Sequence, residues 1–288
     1  MVITISKDFP LIIIENVEYT YPNGTIALKD INLNVYKGEL LGIMGKNGAG
    51  KTTLIRTLNG LIRPTSGNIY INNKNIGSKS IAELSKKVGL IFQNPSHQLF
   101  ANTVEDEIEF SLKNLNMNKE ELELKTNEIL KNFNLDKYRD RSPLNLSGGE
   151  SKKLAIASII CRGPEILVFD EPTLGQDARE IESFIRLINN EKKQGKTIII
   201  ITHNIEFAYE FIPRTILMEG GEIIADGPTH NVLSNGFLTE RSSLILPQTR
   251  QLSLVLQEIG FQGINKYFSK SEITEYLIKF LRKKTTSV

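Results

Sequence analysis

The sequence predicts an α/β fold: a mixed, mostly parallel sheet covered on both faces, with an antiparallel β region before it. It also predicts an inserted helical subdomain and a small C-terminal helical extension. Three observations carry this. Short apolar runs such as ELLGIM, EILVFD and TIIII have strand length and the composition of strands buried on both faces. Helical patterns separate them, and parallel strands need such crossovers. A glycine-rich run, GKNGAGKTT, stands where one of these strands gives way to one of these helices.

The elements follow in order. LIIIENVEY, the turn YPNGT and ALKDINLNV read as antiparallel strands, and YKG then leads into a buried strand ending at Met44. A helix from Lys51 places Leu54, Ile55 and Leu58 on one face, with Gly60 near its end. The strands NIYIN and VGLIF come next. Residues from about 95 to 160 are helical in pattern and read as the inserted subdomain. Within it, Asn118 and Glu121 form a helix cap ahead of the stripe Leu122, Ile129, Leu130 and Phe133. LSGGE opens a further helix, followed by EILVFDEP, AREIESFIRLINNEKKQG, TIIIITH, another helix and the hairpin RTILMEGGEIIADG.

This domain is expected to span residues 1–236, with the extension at 237–288. In the extension Leu252, Val255, Leu256 and Ile259 share one helical face, and Ile273, Tyr276, Leu277, Phe280 and Leu281 another. Two short helices cannot bury both stripes alone, so they pack on the main domain or on a partner.

Composition narrows the function classes. Of 288 residues 40% are hydrophobic and 24% charged, as in soluble globular proteins. A net charge of +2 gives no reason to expect a nucleic-acid partner, and none is expected. Cys161 is the only cysteine, which excludes an internal disulfide; its apolar neighbours suit a buried small side chain. No apolar run approaches the length of a membrane span, and the N-terminus lacks the pattern of a signal peptide. A cytosolic chain is expected, and work at a membrane would require another protein to supply the span.

The chemistry sits at strand ends and helix starts. Gly45, Lys46, Asn47, Gly48, Ala49, Gly50, Lys51 and Thr52 match G-x-x-x-x-G-K-[ST], with Thr53 following. In such a loop backbone N–H groups curl around a β-phosphate, helped by the helix dipole. Lys51 would bridge β- and γ-phosphates, and the Thr52 hydroxyl would ligate Mg²⁺. Asp170, ending a buried strand, can hold the Mg²⁺ shell, and Glu171 can polarise an attacking water. His203 ends TIIIITH, at the edge where open α/β sheets bind ligands; His97 and His230 lack such a setting.

LSGGE raises a separate point. Ser147 and Glu150 fit a capping box, and the serine hydroxyl keeps its own proton to donate. With the amides of Gly148 and Gly149 beside it, a second phosphate could be received there.

Taken in order, Gly45–Thr52, Gln93, LSGGE, LVFDEP, Gly175-Gln176-Asp177 and His203 resemble the ATPase subunit of ABC transporters, over roughly residues 11–236. LSGGE is that family's signature. The resemblance implies a P-loop NTPase fold of the ABC cassette type, with ATP and Mg²⁺ as its cofactors. It implies that Tyr21 stacks on adenine and that Gln93 touches Mg²⁺ and the attacking water. Asp177 would link two active sites, and Ser147, Gly148, Gly149 and Glu150 would act on ATP held by another subunit in a head-to-tail dimer.

FQNPSHQLFANTVEDEIEF resembles, more narrowly, the energy-coupling-factor (ECF) ATPases, which drive uptake of vitamins or of cobalt and nickel. The implied partners are a second ABC ATPase subunit, a transmembrane coupling subunit and a substrate-binding membrane subunit, at the cytoplasmic face of the cell membrane. The signature reads LSGGE where LSGGQ is commoner, and Gln176 stands where the group often has Leu. An ATPase of another ABC transporter class fits the same main motifs. A chromosome ATPase would need a long coiled coil between phosphate loop and signature, and a ribosome-associated one normally carries two cassettes.

Overall fold

The computed structural model describes residues 9–115, 117–264 and 270–285. Its elements begin with strands β1 (Ile12–Thr20), β2 (Ile26–Val35) and β3 (Leu40–Met44), then helix α1 (Lys51–Leu58). Strands β4 (Ser66–Ile71) and β5 (Lys74–Asn75), the short helix α2 (Ile81–Ser85) and strand β6 (Val88–Ile91) come next. Helices α3 (Val104–Leu112), α4 (Lys119–Asn132) and α5 (Gly148–Ile160) build the inserted region. Strand β7 (Ile166–Asp170), helix α6 (Ala178–Lys193), strand β8 (Thr197–Ile201) and helix α7 (Ile205–Phe211) return to the core. The hairpin β9 (Arg214–Glu219) and β10 (Glu222–Pro228) precedes α8 (Thr229–Leu233), α9 (Gly236–Arg241), α10 (Gln248–Glu258) and α11 (Lys270–Thr285).

Two sheets result. The antiparallel one runs in the order β2-β1-β4-β5, and the six-stranded one β10-β9-β3-β8-β7-β6. In the larger sheet only β10 is antiparallel to its neighbour. Every residue of β3, β7 and β8 is buried, which is why these strands read as unbroken apolar runs. One consequence matters for function: β3, β8 and β7 are adjacent and parallel, so their C-terminal ends open at one edge.

Helix α5 joins the core to the helical insertion. Its Ile156 and Ile159 pack with Phe169 and Leu167 of the sheet, while Leu154, Ala155 and Ala157 pack with Val104, Ile108 and Leu130. Burying each such aliphatic side chain contributes about 1.5–3 kcal/mol, so the insertion is held to the core along the whole helix. The expected caps are present: Asn118 with Glu121 and Ser147 with Glu150 each form a capping box.

The expected stripe of α10 is not buried. Leu252, Val255 and Ile259 are exposed, and Leu256 is half-buried; the helix buries Thr249 and Ser253 instead. Two contacts explain the rotation. The Gln248 N–H donates to Glu206 Oε1 at 2.7 Å, fixing the start of α10 to α7. The Ser253 hydroxyl donates to the Thr249 carbonyl at 2.8 Å, so a polar side chain can be covered with its donor satisfied. In α11, Ile273 is buried and the Phe280 ring meets Phe261 at a tilt, 4.5 Å between centroids, whereas Leu281 is exposed.

Candidate active site

A cavity of about 520 Å³ opens where β3, β7 and β8 end. It is lined by Tyr21, Asn47 through Thr53, Gln93, Asp170, Glu171 and His203. Five separated stretches of sequence are thus brought together.

The phosphate-loop half is built from backbone. Gly50 precedes α1 with φ +100°, and a Cβ there would stand 2.4 Å from the Ala27 carbonyl oxygen. Only glycine lets the loop pass so close to β2. No side chain caps α1, so its first amides face the cavity end with the positive end of the helix dipole. This is the reverse of α5, whose Ser147 hydroxyl accepts the Glu150 N–H at 3.4 Å while Glu150 Oε2 accepts the Ser147 N–H at 2.8 Å. Lys51 is buried and donates to the carbonyls of Gly45 (2.6 Å) and Lys46 (2.9 Å). Burial lowers its pKa, with Glu171 and Asp170 pulling the other way.

The acidic half is buried as well. The Thr52 hydroxyl donates to Asp170 Oδ2 at 3.2 Å. Burial raises the Asp170 pKa against that hydrogen bond. Glu171 is pushed up to about 7, chiefly by burial, despite an N–H bond from His203 at 3.2 Å. The His203 ring nitrogen Nε2 lies 3.3 Å from Glu171 Oε1, yet that oxygen accepts no hydrogen bond among the described residues. The His203 pKa is lowered by burial and by Lys51, which keeps the ring neutral near pH 7.

These donors fit Mg²⁺ and a nucleotide. A hydroxyl and a carboxylate oxygen already in contact are hard ligands, and two buried carboxylates gain from a nearby cation. Among the described residues no group of three or more His, Cys, Asp or Glu could hold a metal.

Not every expected residue lines the cavity. Gly45 is packed against β9, where a Cβ would meet the Met218 carbonyl oxygen at 2.1 Å, and Lys46 pairs with Glu219 at 3.3 Å. Ser147 and Gly148 are exposed outside it. Asp177 is exposed too and caps α6, accepting the Glu180 N–H at 2.8 Å. Thr25, Ile26, Ala27, Leu174 and Ile201 line the cavity without having been expected there. Thr25 ends the YPNGT turn and Ile26 and Ala27 follow it, and the pairing of Thr20 with Ile26 folds them back beside Tyr21. Lys152 is buried on α5 and donates to the Leu174 carbonyl at 3.1 Å; only its place directly after the signature hinted at a role.

Comparison with known proteins agrees with this geometry. The family model described as ABC transporter matches residues 28–174. The energy-coupling factor transporter ATP-binding protein EcfA of Methanocaldococcus jannaschii is 37% identical over 92% of this chain and 96% of its own. Of two relatives from Methanosarcina, each a putative ABC transporter ATP-binding protein, the chain spans 44% and 45% of the length. Among solved structures, cbiO1 of Clostridium perfringens, described as part of the ABC transporter complex cbiONQ, superposes with TM-score 0.72 at 33% identity. It covers 85% of this chain and 99% of its own. An ATP-binding cassette solved as a dimer in a post-hydrolysis state with ADP and Pi gives TM-score 0.70 at 31% identity, over 76% and 98% of the two chains.

Proposed function

The chain belongs to the ABC transporter family, and from that premise we propose that it is the ATP-hydrolysing motor subunit of an ECF-type importer. The observation that carries this is the gathering of Lys51, Thr52, Gln93, Asp170, Glu171 and His203 round one cavity at the strand ends. Lys51 and the α1 amides hold the phosphates. Thr52 and Asp170, with Gln93, hold Mg²⁺, which when bound neutralises phosphate charge and orients the γ-phosphoryl group. Glu171 Oε1, a buried acceptor with no donor among the described residues, takes the proton of the attacking water. Neutral His203 donates toward the γ-phosphate and keeps Glu171 in place through its backbone N–H.

Ser147, Gly148 and Gly149 serve ATP held by a second ATPase subunit. The exposure of Ser147 and Gly148 outside the cavity and the dimeric cassette solved with ADP and Pi support this. The partners are that subunit, a transmembrane coupling subunit and a substrate-binding membrane subunit, with a vitamin or transition-metal ion as cargo. The place of work is the cytoplasmic face of the membrane; no helix among the described residues is long and apolar enough to cross one. The EcfA relative and the cbiO1 neighbour support the ECF assignment. So does an edge-to-face aromatic pair in the insertion: Phe100 (65% exposed) and Phe110 (54% exposed) meet at 4.7 Å, leaving a greasy ledge for the coupling subunit. Buried Glu107 supports that ledge by accepting the N–H groups of Phe100 and Ala101, both at 2.9 Å.

Affinity purification from membranes tests the proposal. Glu171→Gln is expected to bring down a coupling subunit, a small substrate-binding membrane protein and trapped ATP. A complex holding only a conventional permease would reject the ECF assignment, and unimpaired turnover by this variant would remove Glu171 from its role.

A further inference from the structure

Lys152 is 7% exposed, and among the described residues its one hydrogen bond goes to the Leu174 carbonyl at 3.1 Å. Desolvation costs a buried ammonium more than one bond to a neutral carbonyl returns, and the charges of Glu180 and Glu171 offset only part of that cost. What it holds is specific. Leu174 closes a turn back onto Glu171, its N–H donating to the Glu171 carbonyl at 3.3 Å. Glu171 itself sits at φ +52°, a conformation that costs a non-glycine residue energy and persists only where its surroundings impose it.

A second contact runs parallel to the first. Gly149 lies so close to Glu180 that a Cβ would stand 2.3 Å from Glu180 Oε1, and Glu180 closes the capping box on Asp177. The first turns of α5 and the stretch 171–180 therefore form one packed unit.

We propose that Lys152 is a positioning residue: it ties the turn carrying Glu171 to the helix that begins with Ser147. Seating Ser147–Gly149 on the partner's ATP then sets the geometry of this chain's own water-polarising carboxylate. This rests on the function proposed above. Lys152 does not line the cavity; it acts on Glu171 through Leu174 and through its charge.

Lys152→Met and Lys152→Arg in the purified complex decide the matter. Lys152→Met is expected to lower kcat about ten- to a hundredfold, as misplacing a reacting group does. The KM for ATP should stay within about twofold, and the Hill coefficient should fall from about 2 toward 1. Lys152→Arg, which keeps the charge and a donor, should recover most of both. In the Glu171→Gln background Lys152→Met should add no further loss, since the two act as a unit. Hydrogen exchange of amides 171–177 in the free chain should quicken in Lys152→Met and return in Lys152→Arg.

Unchanged kcat and Hill coefficient, a rise in KM parallel to the loss, or additive effects with Glu171→Gln would each overturn the proposal. A wild type without ATP turnover would refute the motor function instead, and the exchange comparison would still decide whether Lys152 ties the turn.

Discussion

The Thr52 hydroxyl donates to Asp170 Oδ2 at 3.2 Å, joining the first turn of α1 to the C-terminal end of β7. Two hard oxygen donors are thereby set side by side, as the proposed Mg²⁺ shell would need. Thr52→Val keeps the shape and removes the oxygen. It should leave nucleotide affinity in EDTA within about threefold while abolishing the gain that Mg²⁺ gives, because phosphate contacts from backbone and Lys51 are untouched. Fluorescent-nucleotide titrations with and without Mg²⁺ measure the difference. An equal Mg²⁺ gain in wild type and variant would remove Thr52 from the metal shell.

Glu171 should leave a signature in the pH dependence of nucleotide-free stability. Burial raises its pKa from 4.5 to about 7, with Asp170 adding to the rise and Lys51 and Lys152 opposing it. Between those values the native chain binds more protons than the unfolded one, so this group makes stability fall as pH rises through the window. Above pH 7 a buried carboxylate carries its full desolvation cost. Glu171→Gln is neutral throughout, so its Tm should exceed that of the wild type at pH 8 and the gap should close below pH 4.5. At about 2–4 °C per kcal/mol for a chain of this size, scanning calorimetry resolves it. A gap that widens toward low pH would contradict the assignment.

Tyr21 is fixed at both ends of its ring. Its hydroxyl shares a hydrogen bond with Thr53 Oγ1 at 2.9 Å, and its ring meets Tyr19 edge-to-face at 4.9 Å. Stacking on adenine needs the ring and not the hydroxyl. Tyr21→Phe should therefore cost about 1 kcal/mol of stability and change the KM for ATP less than about twofold. Tyr21→Ala should raise that KM about tenfold, near the worth of one stacked base. Steady-state kinetics and thermal melts on the two variants separate the contributions, and an unaltered KM in Tyr21→Ala would rule out stacking.

Local chemistry made much of this legible in the sequence, and non-local register hid the rest. Ser147 and Glu150 announce their cap because three residues of one turn determine it, and β3, β7 and β8 announce themselves by having no polar face. The place of Thr25, Ile26 and Ala27 beside the cavity depends on how β1 pairs with β2, which no short window contains. Lys152 meeting Leu174 depends on how a helix packs against a loop 22 positions away. The α10 stripe, left uncovered within this chain, shows a different limit. Periodicity tells which residues share a face, but not which face is covered, and the Ser253–Thr249 bond lets the hydroxyl face go inward.

The division of labour between the two helix starts gives the last test. The α1 amides open onto the chain's own cavity, while Ser147 and Gly148 are exposed away from it, and the proposed head-to-tail pair would build each nucleotide site from α1 of one subunit and α5 of the other. Lys51→Ala disables the first contribution and Ser147→Ala the second, and each homogeneous dimer then has two defective sites. A dimer with one subunit of each kind concentrates both defects in one site and leaves the other intact. Random reassembly of an equal mixture makes half the dimers mixed, each with one complete site, so about a quarter of wild-type turnover is the ceiling for a two-fold symmetric pair, and the coupling proposed for Lys152 holds the recovery below it. An ATPase assay on the reassembled mixture reads this directly. A chain that completed its site alone would show no recovery at any mixing ratio.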